Sequence, residues 1–331
     1  MKRQWNHKVF DVTRSGFEAM ALELFAFQYE NNSIYRAYTD AIGVKPAAVK
    51  GIEQIPFLPI RFFKSHAVQA GQFEPAAIFE SSGTTGIISS RHFVKEVDLY
   101  KESFLKSFQL FYGNPADYCI IGLLPSYLER QHSSLVYMVN ELISQSGHAN
   151  SGFYLYELEK LATVIKGLEQ KQQRVLLIGV TYALLDFAEQ FPMPLEHTII
   201  METGGMKGRR EELIREQVHD QLKAAFHLSQ IHSEYGMTEL LSQAYSKGDG
   251  IFQSPSWLKV LVRDDEDPLT IKPYVTGETV SGAINIIDLA NVYSCSFIAT
   301  DDAGRVFPDG SFEVIGRLDG SDLRGCSLLY F

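Results

Sequence analysis

Ser81-Ser82-Gly83-Thr84-Thr85-Gly86 places four hydroxyls and two glycines in six consecutive residues. Ala76 to Glu80 before it reads as a short strand, and Ile87 to Val97 after it carries β-branched and aromatic residues suited to another, so the hexad joins strand to strand. Gly83 and Gly86 free the backbone to turn successive N–H groups onto one concave side, where the Ser and Thr hydroxyls add donors. Such a loop suits a phosphate. The ordinary P-loop is excluded, because Gly86 is followed by Ile87 rather than by Lys-Ser/Thr and a helix. On composition alone the same six residues serve equally well as a surface turn.

A second segment lies far along the chain: Tyr235-Gly236-Met237-Thr238-Glu239, preceded by the apolar run Phe226 to Ile231. A hydroxyl and a carboxylate leaving the end of a strand can bind a phosphate oxygen and its Mg2+, since magnesium is held by one or two carboxylates plus substrate phosphates. Alone, such a pentad is more often a strand end with a turn. Together the two segments resemble the adenylate-forming superfamily, which activates carboxylates with ATP as acyl-AMP. Thr300-Asp301-Asp302 is similar to that superfamily's Thr-Gly-Asp ribose motif, with Asp301 in the glycine's place, and Gly316-Arg317-Leu318-Asp319 followed by Arg324-Gly325 is similar to its hinge motif. Within the superfamily the chain most resembles the long-chain acyl-protein synthetases, the LuxE-type subunit of the bacterial luminescence fatty-acid reductase. The stretches that carry this are Ile55 to Lys64, Pro125 to Arg130 with Ser133 to Leu135, Glu202 to Arg209, and Arg324-Gly325-Cys326.

Composition agrees with an enzyme of that kind. The 331 residues, 45% of them hydrophobic, suffice for a sizeable core. A net charge of −10 with no basic block argues against a nucleic-acid groove and against an anionic membrane surface. No apolar stretch reads as a membrane span, and the residues after Met1 form no secretory signal, which points to the cytoplasm. Cys119, Cys295 and Cys326 are widely spaced without a CxxC, as expected of reduced thiols.

Along the chain, Ser15 and Glu18 form a candidate capping box for a helix reaching about Asn31, and helices are expected at Tyr35 to Ala41 and Lys45 to Ile52. Asp98 to Phe111 has helical spacing. Tyr118 to Leu124, Arg174 to Gly179 and Thr198 to Met201 read as buried strands, alternating with helices at Ser133 to Gln145, Tyr182 to Phe191 (N-cap Thr181) and Arg209 to Phe226. This alternation predicts a largely parallel sheet flanked by helices. Ligands bind beyond the carboxyl ends of such strands, so Tyr127, Arg130, Gln131 and His132 are candidate pocket residues. The Gly204-Gly205 turn before a helix N-terminus suits adenine or ribose-phosphate, and equally a plain turn. Farther on, Trp257 to Val262, Gly282 to Ile287, Tyr293 to Ile298 and the hairpin Val306 to Val314 read as strands, while the acidic cluster Asp264 to Asp267 reads as a solvated turn in preference to a metal site.

The resemblance implies an α/β fold, the large N-terminal domain of the adenylate-forming enzymes, over residues 1–331. Within it would lie a helical region (1–75), an α/β nucleotide-binding core (76–240) and a β-rich subdomain (241–331) ending at the hinge motif, the mobile C-terminal lysine domain being missing or vestigial. It implies ATP and Mg2+ as cofactors. Ser82, Thr84 and Thr85, in the loop Ser81 to Gly86, would hold the β- and γ-phosphates, Thr238 after Gly236 the α-phosphate, and Glu239 the metal. Asp302 would bind the ribose, Tyr235 with Gly204 and Gly205 the adenine, and Arg317 ribose or phosphate, with Lys207, an arginine or a partner protein supplying what the missing lysine would. The substrate would be a carboxylic acid of the fatty class. The acyl group would pass to a thiol: Cys326, an acceptor or reductase partner protein, or coenzyme A as in the phenylacetate-CoA ligases. A nucleotide-binding subunit without turnover is the remaining alternative.

Overall fold

Apolar runs separated by polar turns set the elements of this computed structural model, which describes residues 5, 8–81, 88–125, 132–204, 213–264, 266–273, 277–318 and 329–330. The elements gather into two units. One comprises Met1–Phe104, Gly236–Ala244 and Gln253–Leu318; the other comprises Leu105–Tyr235, Tyr245–Phe252 and Asp319–Phe331.

The first unit opens with α1 (Phe17–Asn31), whose buried residues Phe17, Met20, Ala21, Leu24, Phe25 and Gln28 follow one helical face. The expected capping box does not form. Gly16 is the N-cap, the Ser15 hydroxyl pairs with that of Thr13, and Glu18 Oε1 instead accepts from Ile52 N at 3.3 Å. Asn32 caps α2 (Ser33–Ala41) by accepting from Tyr35 N. The helix expected over Lys45 to Ile52 is two short 3-10 turns, Pro46–Ala48 and Ile52–Gln54, consistent with Pro46 and the Pro56 and Pro59 that follow. Next come β1 (Leu58–Pro59), α3 (Phe62–Ser65) and the antiparallel pair β2 (Ala77–Glu80) and β3 (Arg91–Val94). The strand expected to reach Val97 stops at Val94, and Val97 begins α4 (Val97–Tyr112).

The second unit is wound as the alternation predicts: β4 (Cys119–Leu123), α5 (Ser134–Ser146), β5 (Gly152–Phe153), α6 (Leu158–Gln170), β6 (Val175–Val180), α7 (Thr181–Gln190), β7 (Thr198–Thr203), α8 (Arg215–Phe226) and β8 (His232–Tyr235). The strands pair in parallel in the order β8-β7-β6-β4-β5. Every residue of β4 and β6 is buried, as strands covered on both faces must be. Two expectations change here. Thr181 is the first residue of α7 rather than its cap, and its hydroxyl donates to Glu202 Oε2. The described helix α8 begins at Arg215 with Ile214 as its N-cap, whereas the expected start at Arg209 lies outside the described residues. The strand before Gly236 is His232–Tyr235, whereas Phe226 ends α8 and His227 turns left-handed at φ 53°.

After β9 (Ala244–Ser246) and β10 (Ile251–Gln253), the first unit is completed by the antiparallel meander β11 (Leu258–Arg263), β12 (Val280–Asp288), β13 (Phe297–Val306) and β14 (Phe312–Leu318). β1 joins β13 in parallel. The strand expected at Tyr293 to Ile298 begins only at Phe297, because residues 289–296 form an irregular loop that is mostly buried. Its backbone is satisfied by side chains: Gln28 Nε2 donates to Asn291 O and Val292 O, Gln28 Oε1 accepts from Ser296 N, and Asn32 Nδ2 donates to Ser294 O. Among the described residues no helix is long and apolar enough to cross a membrane.

Asp288, fully buried at the end of β12, accepts from Leu241 N at 2.8 Å, Ser242 Oγ at 2.6 Å and Ala290 N at 3.1 Å. Asp288→Ala strands these three donors and is expected to cost about 3 kcal/mol, read as a lower urea midpoint, whereas Asp288→Asn loses less.

Candidate functional site

The hydroxyl run lies in the sequence between β2 and β3. Its base is shut by Ser81 N donating to Ser90 O and by Ser90 N donating to Ser81 Oγ at 2.9 Å. The Ser81 oxygen is thus engaged in the hairpin itself, while Ser82, Gly83, Thr84, Thr85 and Gly86 lie outside the described residues.

One residue of β3 ties this hairpin to the second motif. His92, 1% exposed, sets Nδ1 2.9 Å from Thr238 O and Nε2 3.0 Å from Asn291 Oδ1. Asn291 Nδ2 donates to Glu239 O at 2.8 Å and to Cys295 O at 2.9 Å. Thr238 and Glu239 are therefore positioned through their main-chain carbonyls. The Glu239 side chain is fully buried, so an ion reaches it only if its covering residues shift. The donor set of hydroxyls and a carboxylate consists of hard oxygens, the kind that fits Mg2+ on a phosphate. Burial lowers His92 to about 4, against the pull of its two hydrogen bonds.

Asp302 and Arg317, taken from separate motifs, face each other across the β13–β14 ladder, and Arg317 Nη1 donates to Asp302 Oδ1 at 2.8 Å. Arg317 also lies 3.6 Å from Asp301, which accepts from Arg61 Nε at 3.2 Å. Beneath them is a residue the motifs did not flag: buried Arg263 donates to Ile284 O, Asn285 Oδ1 and Thr300 O, fixing the start of the Thr300-Asp301-Asp302 run. An arginine in an alternating β11 pattern gave no sequence signal for this.

In the second unit, Gly204 takes φ +72°, a left-handed conformation that suits glycine, directly after β7. Tyr235 ends β8 with its ring 5.8 Å from Phe252, over which the Arg215 guanidinium sits at 5.3 Å. Thr203 Oγ1 donates to Glu234 Oε2 at 2.6 Å. Beside that pair, Glu202 is buried with Arg215 at 3.9 Å and His219 at 3.7 Å. Gly205, Lys207, Tyr127, Arg130, Gln131 and Cys326 lie outside the described residues, and His132 is exposed. The acidic turn is held by Asp264 Oδ1, which accepts from the backbone of Glu266 and Asp267.

No protein-family model and no curated protein matches the chain. Solved structures do match. One is 2-hydroxyisobutyryl-CoA ligase in the postadenylation state in complex with R3-HIB-AMP, at 12% identity and a TM-score of 0.60, covering 94% of this chain and 69% of that one. A second is the luciferase-like enzyme from the nonluminescent Zophobas morio mealworm, at 14% identity and a TM-score of 0.51, covering 84% of this chain and 62% of that one. A third is O-succinylbenzoate coenzyme A synthetase from Bacillus subtilis in complex with ATP and magnesium ion, at 16% identity and a TM-score of 0.50, covering 76% and 53%. The chain spans about half to two thirds of the length of these proteins. The likeness establishes the α/β fold of the adenylate-forming enzymes.

Because His92 titrates lower folded than unfolded, its contribution to stability is complete above about pH 6.5 and is lost as the pH falls toward about 4. His92→Gln is expected to cost about 2 kcal/mol at pH 8, a deficit that narrows toward pH 4.5 in paired urea titrations. A constant deficit would assign the histidine no protonation-linked role.

Proposed function

We propose that the chain activates a carboxylic acid of the fatty class with ATP and passes the acyl group to a thiol. The observation that carries this reading is the His92 contact to Thr238, which fastens the hydroxyl-loop hairpin to the Thr238-Glu239 segment inside the first unit. Support also comes from the fold and from the order of the motifs along it.

In this reaction a carboxylate oxygen attacks the α-phosphorus of ATP, the bond to pyrophosphate breaks, and acyl-AMP results. A thiolate then attacks the acyl carbonyl and AMP leaves. The protein's part is to position anions and to offset developing charge. Ser82, Thr84 and Thr85 bind the terminal phosphates and Thr238 the α-phosphate, while Asp302, oriented by Arg317, binds the ribose. Gly204, Gly205 and Tyr235 receive adenine. Glu239 would hold Mg2+, which when bound offsets charge on the triphosphate. For the acceptor we favour Cys326, beside Arg324 in sequence, because a guanidinium nearby raises the thiolate fraction. A partner protein or coenzyme A in its place would give the same first half-reaction.

Exchange of labelled pyrophosphate into ATP, dependent on an added fatty acid, tests the first step. Its absence alongside measurable ATP binding would leave a nucleotide-binding subunit instead. Glu239→Gln should lower that exchange about tenfold or more with circular dichroism unchanged, and undiminished exchange would remove the carboxylate from the metal role. Labelled acid that stays on the denatured chain, and is lost in Cys326→Ala, identifies the internal acceptor; label released only on adding coenzyme A identifies the soluble one.

A further inference from the structure

The parallel strands β7 and β8 pair through Met201↔His232 and Glu202↔Ser233. One residue farther on, the link passes to side chains, where the Thr203 hydroxyl donates to Glu234 Oε2 at 2.6 Å. The next residues are Gly204 and Tyr235, the two assigned above to adenine. Thr203 and Glu234 are both buried, 4% and 9% exposed, so neither is oriented by solvent.

We propose that Thr203 and Glu234 are positioning residues for the nucleotide, their hydrogen bond setting the separation of the Gly204 turn from Tyr235. The inference rests on the nucleotide-binding reading given above and adds to it a proton linkage. The groups facing Glu234 are unequal partners. On β7, Glu202 is a second buried carboxylate; it is held below the usual range despite its burial, with His219 and Arg215 of α8 and the Ser233 hydroxyl favouring its charged form. From α4, Tyr112 brings no positive charge, and its hydroxyl pairs with His232 of β8, itself lowered to about 4 by burial. Among the described residues the Thr203 hydroxyl is the donor to Glu234, and burial pushes the carboxyl up to about 7, with Glu202 adding to the rise. Two neighbouring carboxyl groups thus divide their roles, one charged and one carrying a proton near neutrality.

A nucleotide whose adenine rests against Gly204 and Tyr235 excludes water from Glu234 and adds the charge of its phosphates farther off, and both favour the protonated form of Glu234; by reciprocity the protonated form favours the nucleotide. Affinity should therefore fall as the pH rises through about 7. The test is equilibrium binding of ATP with saturating magnesium to the full chain between pH 6 and pH 8.5, together with carbon NMR titration of the Glu234 carboxyl in the wild type. Expected are a weakening of about tenfold across that range, a carboxyl midpoint that moves upward when ATP is added, and loss of the pH slope in Glu234→Gln. Thr203→Val should weaken ATP binding about tenfold, and Thr203→Ser should restore it. A purely structural pair would lower the melting temperature in these variants while leaving the pH slope intact, and that result overturns the proposal. A midpoint unmoved by bound ATP overturns it without any variant. Wild-type protein that binds no ATP at any pH refutes the nucleotide reading itself, and the pair's role with it.

Discussion

Irregular backbone that is buried must find a hydrogen-bond partner for every N–H and C=O, and this constraint governs the first unit. Two such stretches lie side by side, residues 236–243 and residues 289–296, both largely enclosed. Neither is in a position to satisfy itself as a helix or strand would. Asp288 supplies acceptors to Leu241, Ser242 and Ala290; Asn291 supplies donors to Glu239 and Cys295; His92 and Gln28 close the remaining sides. Trp257 completes the arrangement, its indole N–H lying 3.1 Å from both Ser103 Oγ and Ser242 Oγ. These side chains are polar because the chain they hold is irregular, and the chain is irregular where it presents Thr238 and Glu239.

The same logic explains how Thr238, Glu239 and Asp302 are held in place. A loop exposed to water would let Thr238 wander, whereas its carbonyl is fixed from β3 and the following one from Asn291. Asp302 is likewise held by Arg317 at 2.8 Å, with Arg263 bracing the carbonyl of Thr300 two residues earlier. Each candidate contact thus rests on a buried partner that has no place in a short motif. Pre-orientation of this sort reduces the conformational cost of receiving a ligand.

Sequence reading reached the parallel sheet because β4 and β6 are apolar runs of five and six residues and β7 carries Ile199-Ile200-Met201, the composition that burial on both faces demands. It did not place residues 289–296, since Tyr293, Cys295 and Phe297 alternate like a strand while the groups that hold them in a loop, Gln28 and Asn32, lie more than 250 positions away. Gln28 lies on the buried face of α1, and nothing local marks its purpose, because the face it joins is apolar elsewhere. The Ser15–Glu18 capping box was a local pattern overruled by a distant backbone: Ile52 N took the carboxylate. Helix α6 went unassigned although Leu161, Ala162, Ile165 and Leu168 mark its buried face, since its flanks lack a strong cap. Asp302 and Arg317 were legible separately as motif members, whereas their contact depends on the β13–β14 register, which a bulge between Ala303 and Gly304 shifts.

A chain of net charge −10 faces a general difficulty in holding a polyanion, and the buried acids show how it is met. Asp302 is offset by a guanidinium and Glu202 by Arg215 and His219. Asp288, raised to about 6 by burial, is tempered by backbone and hydroxyl donors, and Glu234 has a hydroxyl as its donor and a proton near neutrality. These four of the buried carboxyl groups are thus neutralised by three different means, each local. Long-range repulsion from the exposed acids is screened within about 10 Å at ordinary ionic strength, so what a bound anion meets is set by these near groups. The overall acidity of the chain therefore says little about its capacity to bind phosphate, and the local pairing of each buried acid says a great deal.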